Sequence, residues 1–208
     1  LDGLIYKYEA GSIRFKVWLD DHGIFNGSDE NAAKAAGHDV RSSLEYAKCH
    51  VEGLTVPLEA TIDVAGFRVL AVAKLPLVVT TFNESGDVRK SKEEFVHGTN
   101  NRGESVLNMN RSLDSKLADC AAKLNLARHG VKGEKDLNSK YLYASVDLRG
   151  FRGGGGGGGG GGNSGGGDFY LLNFWRAMPP EDPDQTAHLP RAPRGHTMFW
   201  RMLRPELV

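Results

Sequence analysis

A run of glycines limits how this chain of 208 residues can fold more than any other feature of its sequence. Ten consecutive glycines occupy positions 153–162, and three more follow Asn163 and Ser164. Because glycine loses more conformational freedom on folding than any other residue, we expect residues 153–167 to be disordered, with no chemistry of their own. The run must then be a domain linker, a phosphate-binding loop or an enlarged turn.

The segments that flank the run favour an enlarged turn. "YLYASVDL" precedes it and "DFYLLNFW" follows it, and both show the alternation of β-strands. The residues after Gly167 contain several prolines and are too few to build a second core. A phosphate-binding loop ends in Gly-Lys-Ser or Gly-Lys-Thr before a helix, and this run does not. We therefore predict a single domain, residues 1–208, in which residues 153–167 expand a hairpin turn.

Two further hairpins are predicted earlier in the chain. Residues 4–19 contain two β-type runs separated by Ala10-Gly11-Ser12, and in the second run apolar side chains alternate with Arg14, Lys16 and Trp18 as in a half-buried strand. Residues 58–73 alternate up to Ala65-Gly66 and then return. We predict a tight hairpin there, central to its sheet.

Two segments have the periodicity of helices. Residues 30–49 and 112–128 each place apolar side chains on one face. In the first segment the predicted buried residues are Ala33, Ala36, Val40, Leu44 and Ala47. In the second segment they are Leu113, Leu117, Cys120, Ala121 and Leu124. The predicted fold is therefore α+β, a mixed or antiparallel sheet built from hairpins with two main helices.

Charge and composition exclude several classes of function. The 26 basic and 26 acidic residues cancel, so no overall field attracts the chain to DNA or to an anionic membrane. The apolar runs "VLAVA" and "LPLVV" are far shorter than the roughly 20 residues of a membrane helix, and the first residues do not read as charged and then apolar, so we expect neither a membrane span nor a secretory signal. Cys49 and Cys120 are isolated, so we predict buried reduced thiols and no metal site or cofactor.

The C-terminal segment is the one locally basic region that we identify as a candidate binding site. Arginines interleaved with aromatic residues bind phosphates and stack on unpaired bases, which predicts contact with RNA. The residues concerned are Arg191, Arg194, Phe199, Trp200, Arg201 and Arg204. In the alternative interpretation, Phe199, Met202 and Leu203 dock a terminal helix or strand on the core while the arginines stay solvated.

Three stretches of the sequence resemble the clustered-mitochondria (Clu) domain family. They are "ENAAKAAGHDVRSSLEY", "GLTVPLEATIDVAGFRVLAVAKLPL" and "DFYLLNFWRAMPPEDP" with the closing "LRPELV". They occur in the order expected for the family and cover most of the domain. The resemblance implies a non-enzymatic cytoplasmic scaffold, associated with RNA and linked to mitochondrial distribution and to translation of messenger RNA for mitochondrial proteins. The implied partners are messenger RNA, the ribosome or a translation initiation factor, and other domains of a longer chain.

The strand pair around the glycines also resembles, more loosely, the metal-binding strand of kinase-like folds such as the inositol polyphosphate kinases. In those folds an Asp-Phe holds the magnesium that neutralises the phosphates. This chain has Leu172-Asn173 where the Clu family has Leu-Asp, and an amide supplies no negative charge. A degenerate phosphotransferase is therefore kept as the alternative function. Its candidate ligand site consists of Lys74, Asp147, Asn173 and Arg176.

Overall fold

The computed structural model describes residues 5–20, 29–77, 79–82, 88–91, 94–99, 105–131, 141–153 and 168–179. Residues 154–167 of the glycine run and the basic segment after residue 179 lie outside these ranges. The described chain forms two helices, α1 (Asp29–Lys48) and α2 (Arg111–Lys123). Its strands are β1 (Ile5–Ala10), β2 (Ile13–Trp18), β3 (Leu54–Thr55), β4 (Glu59–Val64), β5 (Phe67–Ala73), β6 (Val79–Phe82), β7 (Val88–Ser91), β8 (Glu94–Gly98), β9 (Leu107–Asn108), β10 (His129–Gly130), β11 (Tyr141–Leu142), β12 (Arg149–Arg152) and β13 (Phe169–Leu172).

The first sheet is antiparallel, with the strand order β1-β2-β5-β4. Both predicted hairpins of this region are confirmed, with Gly11 and Gly66 at positive φ in their turns. The prediction that the second hairpin is central was wrong for one of its strands. β5 lies between β2 and β4, whereas β4 is an edge strand among the strands that the structure describes.

The second sheet is mixed, with the order β3-β13-β12-β8-β9. β12 and β13, which flank the glycines, pair antiparallel from Arg149↔Leu172 to Arg152↔Phe169, and β3 pairs parallel with β13. The strand before the glycines begins later than the sequence predicted. The reason is a turn at Ser145, whose hydroxyl accepts a hydrogen bond from the backbone N–H of Asp147. The α+β fold class is confirmed.

Helix α1 buries a face that is rotated from the predicted one, and of the five residues predicted to be buried only Ala36 is fully buried. Leu44 is 51% exposed and Ala47 is also exposed, whereas Asp39, Ser42 and Ser43 are buried. The buried stripe is displaced by about one residue, or about 100° around the helix. The apolar pattern missed this because it assigns small polar residues to the solvent side.

Helix α2 ends five residues before the predicted end. Asn110 caps its start, since its Oδ1 accepts hydrogen bonds from the N–H groups of Ser112 and Leu113. At the other end Asn125 has φ +55° and the N–H of Leu126 donates to the carbonyl of Ala121, which is a Schellman ending. Asparagine tolerates this left-handed conformation, so the helix ends at Lys123 rather than at the predicted residue 128. Its buried residues, Leu113, Leu117, Cys120 and Ala121, are those predicted.

The described residues form two main apolar clusters. In one of them α1 covers the first sheet, and it contains Trp18, three alanines of α1, Leu70, Val72 and Trp175. In the other, α2 and the C-terminal half of α1 pack on the second sheet. Cys49 and Cys120 are buried free thiols in this second cluster, and burial raises the pKa of Cys120 to about 12. Neither helix of the described residues is long and apolar enough to span a bilayer.

Candidate functional site

The segment after β13 connects the two apolar clusters. Asn173 has φ +72°, and this bend sends the next two side chains in different directions. Phe174 packs in the cluster of the second sheet, 5.5 Å between ring centroids from Tyr46. Trp175 packs in the cluster of the first sheet, 5.3 Å from Trp18. Residues 173–176 are therefore shared by both halves of the fold.

A fully buried carboxylate holds this segment in place. Asp39 of α1 accepts the N–H of Phe174 on Oδ1 at 2.7 Å and the Nζ of Lys16 on Oδ2 at 3.1 Å. The side chain of Asp39 is 0% exposed and that of Lys16 is 10% exposed. Because a buried charge is tolerated only when it is paired and hydrogen-bonded, these contacts join β2, α1 and residue 174.

Glu59 of β4 lies beside this pair on the inner side of the first sheet. Both of its carboxylate oxygens are buried. Burial and, to a smaller extent, the negative charge of Asp39 raise the pKa of Glu59 to about 7, against the opposing effects of Lys16 and of the Ser43 side chain. The carboxyl is therefore largely protonated in the folded chain below neutral pH.

We predict that Glu59→Gln makes the stability of the chain less dependent on pH. The pKa of Glu59 is about 7 in the folded state and 4.5 in the unfolded state, so binding of a proton to Glu59 favours folding. That stabilisation is complete below pH 4.5 and is lost as the pH rises through 7. In urea unfolding, the variant should match the parent near pH 4.5 and exceed it by up to about 3 kcal/mol at pH 8. Glu45→Gln, at the surface of α1, is the control; a Glu59→Gln effect that is the same at both pH values would contradict the prediction.

The structure brings together three of the four residues of the predicted ligand site. Arg176 Nε lies 2.7 Å from Asp147 Oδ2, and both side chains are largely buried. Asn173 Nδ2 donates to the carbonyl of Asp147 at 2.8 Å, and the guanidinium of Arg176 lies 3.9 Å above the ring of Trp175. The Asp147 carboxylate is thus neutralised by Arg176, and Asn173 presents its amide nitrogen rather than its oxygen to Asp147.

Lys74 lies elsewhere. Its Nζ contacts Glu9 Oε2 at 2.7 Å and the carbonyl of Gly11 at 3.1 Å, at the turn of the first hairpin. Lys16, which is not among the predicted residues, is paired with the buried carboxylate of Asp39 in α1. No group of three or more His, Cys, Asp or Glu side chains arranged to bind a metal occurs in the described part of the chain.

The predicted RNA-binding residues lie outside the described residues. Sequence reasoning also missed the cluster of Lys16, Asp39 and Glu59. One signal was present: Asp39 follows Ala32, Ala35 and Ala36 at helical spacing, which places a carboxylate on the side of the helix that packs most closely.

Comparison with known proteins gives the family. The model of the clustered mitochondria (CLU) family matches residues 5–182. A clustered mitochondria protein homolog of Danio rerio is 26% identical over 95% of this chain and 13% of its own length. The Homo sapiens homolog is 26% identical over 95% of this chain and 14% of its own length. The protein clueless of Drosophila ananassae is 27% identical over 86% of this chain and 11% of its own length.

The chain therefore spans only 11–14% of the length of these relatives. No solved structure gives a significant match. The family model nevertheless covers well over half of the chain, including the first and second sheets and both helices. The chain belongs to the clustered mitochondria family.

Proposed function

We propose that this chain is a non-enzymatic, cytoplasmic domain of the clustered-mitochondria type that acts in the distribution of mitochondria, together with other domains of a longer protein. The observation that carries the proposal is the family match over residues 5–182. The relatives that cover most of this chain bear the name of that family and are several times longer.

The geometry of the charged residues supports a scaffolding role. Asp39 is neutralised by Lys16, and Asp147 is neutralised by Arg176. Both pairs join separate segments of the fold. Charged groups committed to one another in this way hold a structure together, whereas catalytic groups must be accessible to a substrate.

We further propose that the domain associates with RNA, and through it with the translation of messenger RNA for mitochondrial proteins. The ribosome or a translation initiation factor is the proposed protein partner. The sequence of the C-terminal segment supports RNA contact because arginine binds phosphates and aromatic rings stack on bases. The proposed contact residues are Arg191, Arg194, Phe199, Trp200, Arg201 and Arg204.

One experiment tests both the proposed role in mitochondrial distribution and the proposed association with RNA. In cells that lack the clueless-type protein, a relative is expressed in which this chain replaces the matching region. We expect this chimera to restore the distribution of mitochondria and to crosslink to messenger RNA. Changing Arg191, Arg194, Arg201 and Arg204 to Glu should reduce crosslinking at least several-fold, because four phosphate contacts are replaced by repulsion.

The matched control changes the same four arginines to Lys, which keeps the charge and should retain most of the crosslinking. Crosslinking that the Glu variant leaves unchanged would contradict the RNA assignment alone. Failure of a folded chimera to restore mitochondrial distribution would contradict the family role. Stabilisation of the chain by magnesium and ATP, lost on changing Asp147, would instead support the phosphotransferase alternative.

A further inference from the structure

The outer face of the first sheet, opposite α1, is entirely apolar. It consists of alternate residues of four strands. They are Tyr6, Tyr8 and Ala10 of β1, Ile13, Phe15 and Val17 of β2, Ala60, Ile62 and Val64 of β4, and Phe67, Val69, Ala71 and Ala73 of β5. The register places them in rows across all four strands, as in Tyr6↔Val17, Val17↔Val69 and Val69↔Ile62. Every one of these positions carries an apolar side chain, so the half-buried strand β2 directs its apolar side outward and Lys16 and Trp18 inward.

Six of the ten large apolar side chains that are exposed among the described residues lie on this outer face. Tyr8 is 61% exposed, Val64 55%, Phe67 49%, and both Tyr6 and Ile62 44%. With areas of roughly 150–250 Å² for a full aromatic side chain and somewhat less for an aliphatic one, the face exposes about 700 Å². Monomeric proteins rarely expose an apolar patch of more than about 300–600 Å². The outer face therefore has the properties of an interface.

The chemistry of the outer face indicates which kind of partner it can bind. A nucleic acid or a charged peptide would need complementary charges, and the face offers none. An uncharged apolar surface is complementary to itself, because a two-fold axis brings no like charges together. Two sheets pack face to face about 10 Å apart through such side chains. The area of about 700 Å² also approaches the roughly 800 Å² per partner of a stable interface.

We propose that the outer face of the first sheet is a symmetric interface with a second copy of this chain. The two β1-β2-β5-β4 sheets pack against each other, and α1 covers each sheet on its far side. This dimer is independent of the proposed role in mitochondria, since it rests on the surface chemistry of β1, β2, β4 and β5 alone.

Sedimentation velocity of the purified full chain, at concentrations from 1 to about 100 μM, tests the proposal. We expect a dimer whose dissociation constant rises at least about a hundredfold in Ile62→Glu, because symmetry buries two unpaired carboxylates. Tyr8→Glu, on β1 at the opposite edge of the face, should have the same effect and replaces Ile62→Glu if that variant fails to fold. Leu44→Glu, at an exposed apolar residue of α1, is the matched control and should leave the dimer intact.

Two results would overturn the proposal. The first is a chain that stays monomeric over the whole concentration range, as it would if residues 180–208 of the same chain cover the outer face. The second is a dimer that folded Ile62→Glu and Tyr8→Glu variants both leave unchanged, which would place the interface on another surface.

Discussion

Replacing Asp39 with Ala is expected to destabilise the chain by about 3–5 kcal/mol. The change removes the acceptor of the Phe174 N–H and leaves the ammonium of Lys16 buried without this carboxylate. Removing one partner of a buried ion pair costs more than the pair itself contributes to stability, because the remaining charge stays desolvated. Urea unfolding at pH 7 measures the loss.

Two further variants distinguish the effect of the unpaired buried charge from the effect of removing an acidic side chain. Asp119→Ala, at an exposed acidic residue of α2, should change the free energy of unfolding by less than about 0.5 kcal/mol. The double variant Lys16→Met with Asp39→Leu removes both charges and should recover much of the loss. An Asp39→Ala variant as stable as the parent would show that the contacts of Asp39 with Lys16 and with the Phe174 N–H do not stabilise the fold.

The second large effect is expected at Gly98, the last residue of β8. Its φ is +97°, and a Cβ there would overlap the backbone carbonyl oxygen of Leu148 and lie 2.9 Å from that of Val146. Backbone atoms cannot move aside as a flexible side chain can, and the N–H of Thr99 donates to that same Val146 carbonyl at 2.8 Å. Gly98→Ala is therefore expected to cost at least about 3 kcal/mol. Thermal and urea unfolding measure it.

Gly66→Ala is the matched control for this prediction. Gly66 has φ +83°, but nothing lies within 4 Å of the Cβ position. Only the cost of the left-handed conformation remains, about 1–2 kcal/mol. If the two variants lose equal stability, the crowding at Leu148 contributes nothing and the prediction for Gly98 is wrong.

The two early hairpins and the buried face of α2 were predictable because each has a regular local pattern. The turns at Gly11 and Gly66 separate alternating runs, and the apolar spacing of α2 identified its buried face. The buried face of α1 was not predictable in this way. Asp39 is buried because it lies where α1 meets the first sheet and residue 174, and the spacing of large apolar residues does not contain that contact.

The residues of the candidate site were also only partly predictable from the sequence. The looser resemblance to kinase-like folds selected Asp147, Asn173 and Arg176, and the structure places them together. It also selected Lys74, which lies at a different hairpin turn. The partner of Asp39 is Lys16, on a strand where alternation would have predicted a solvent-facing lysine. Only the packing of α1 over the first sheet identifies it as buried.

The sharing of residues 173–176 between the two apolar clusters has a consequence for how the domain unfolds. If either cluster loses its packing, Phe174 or Trp175 loses its contacts, and the adjacent residue in the other cluster loses a fixed neighbour in the chain. We therefore expect the two halves to unfold as one thermodynamic unit, with amide protons that exchange with solvent through the same global opening. By linkage, a molecule that binds the folded form of either sheet also stabilises the other, although the two surfaces have no atom in common.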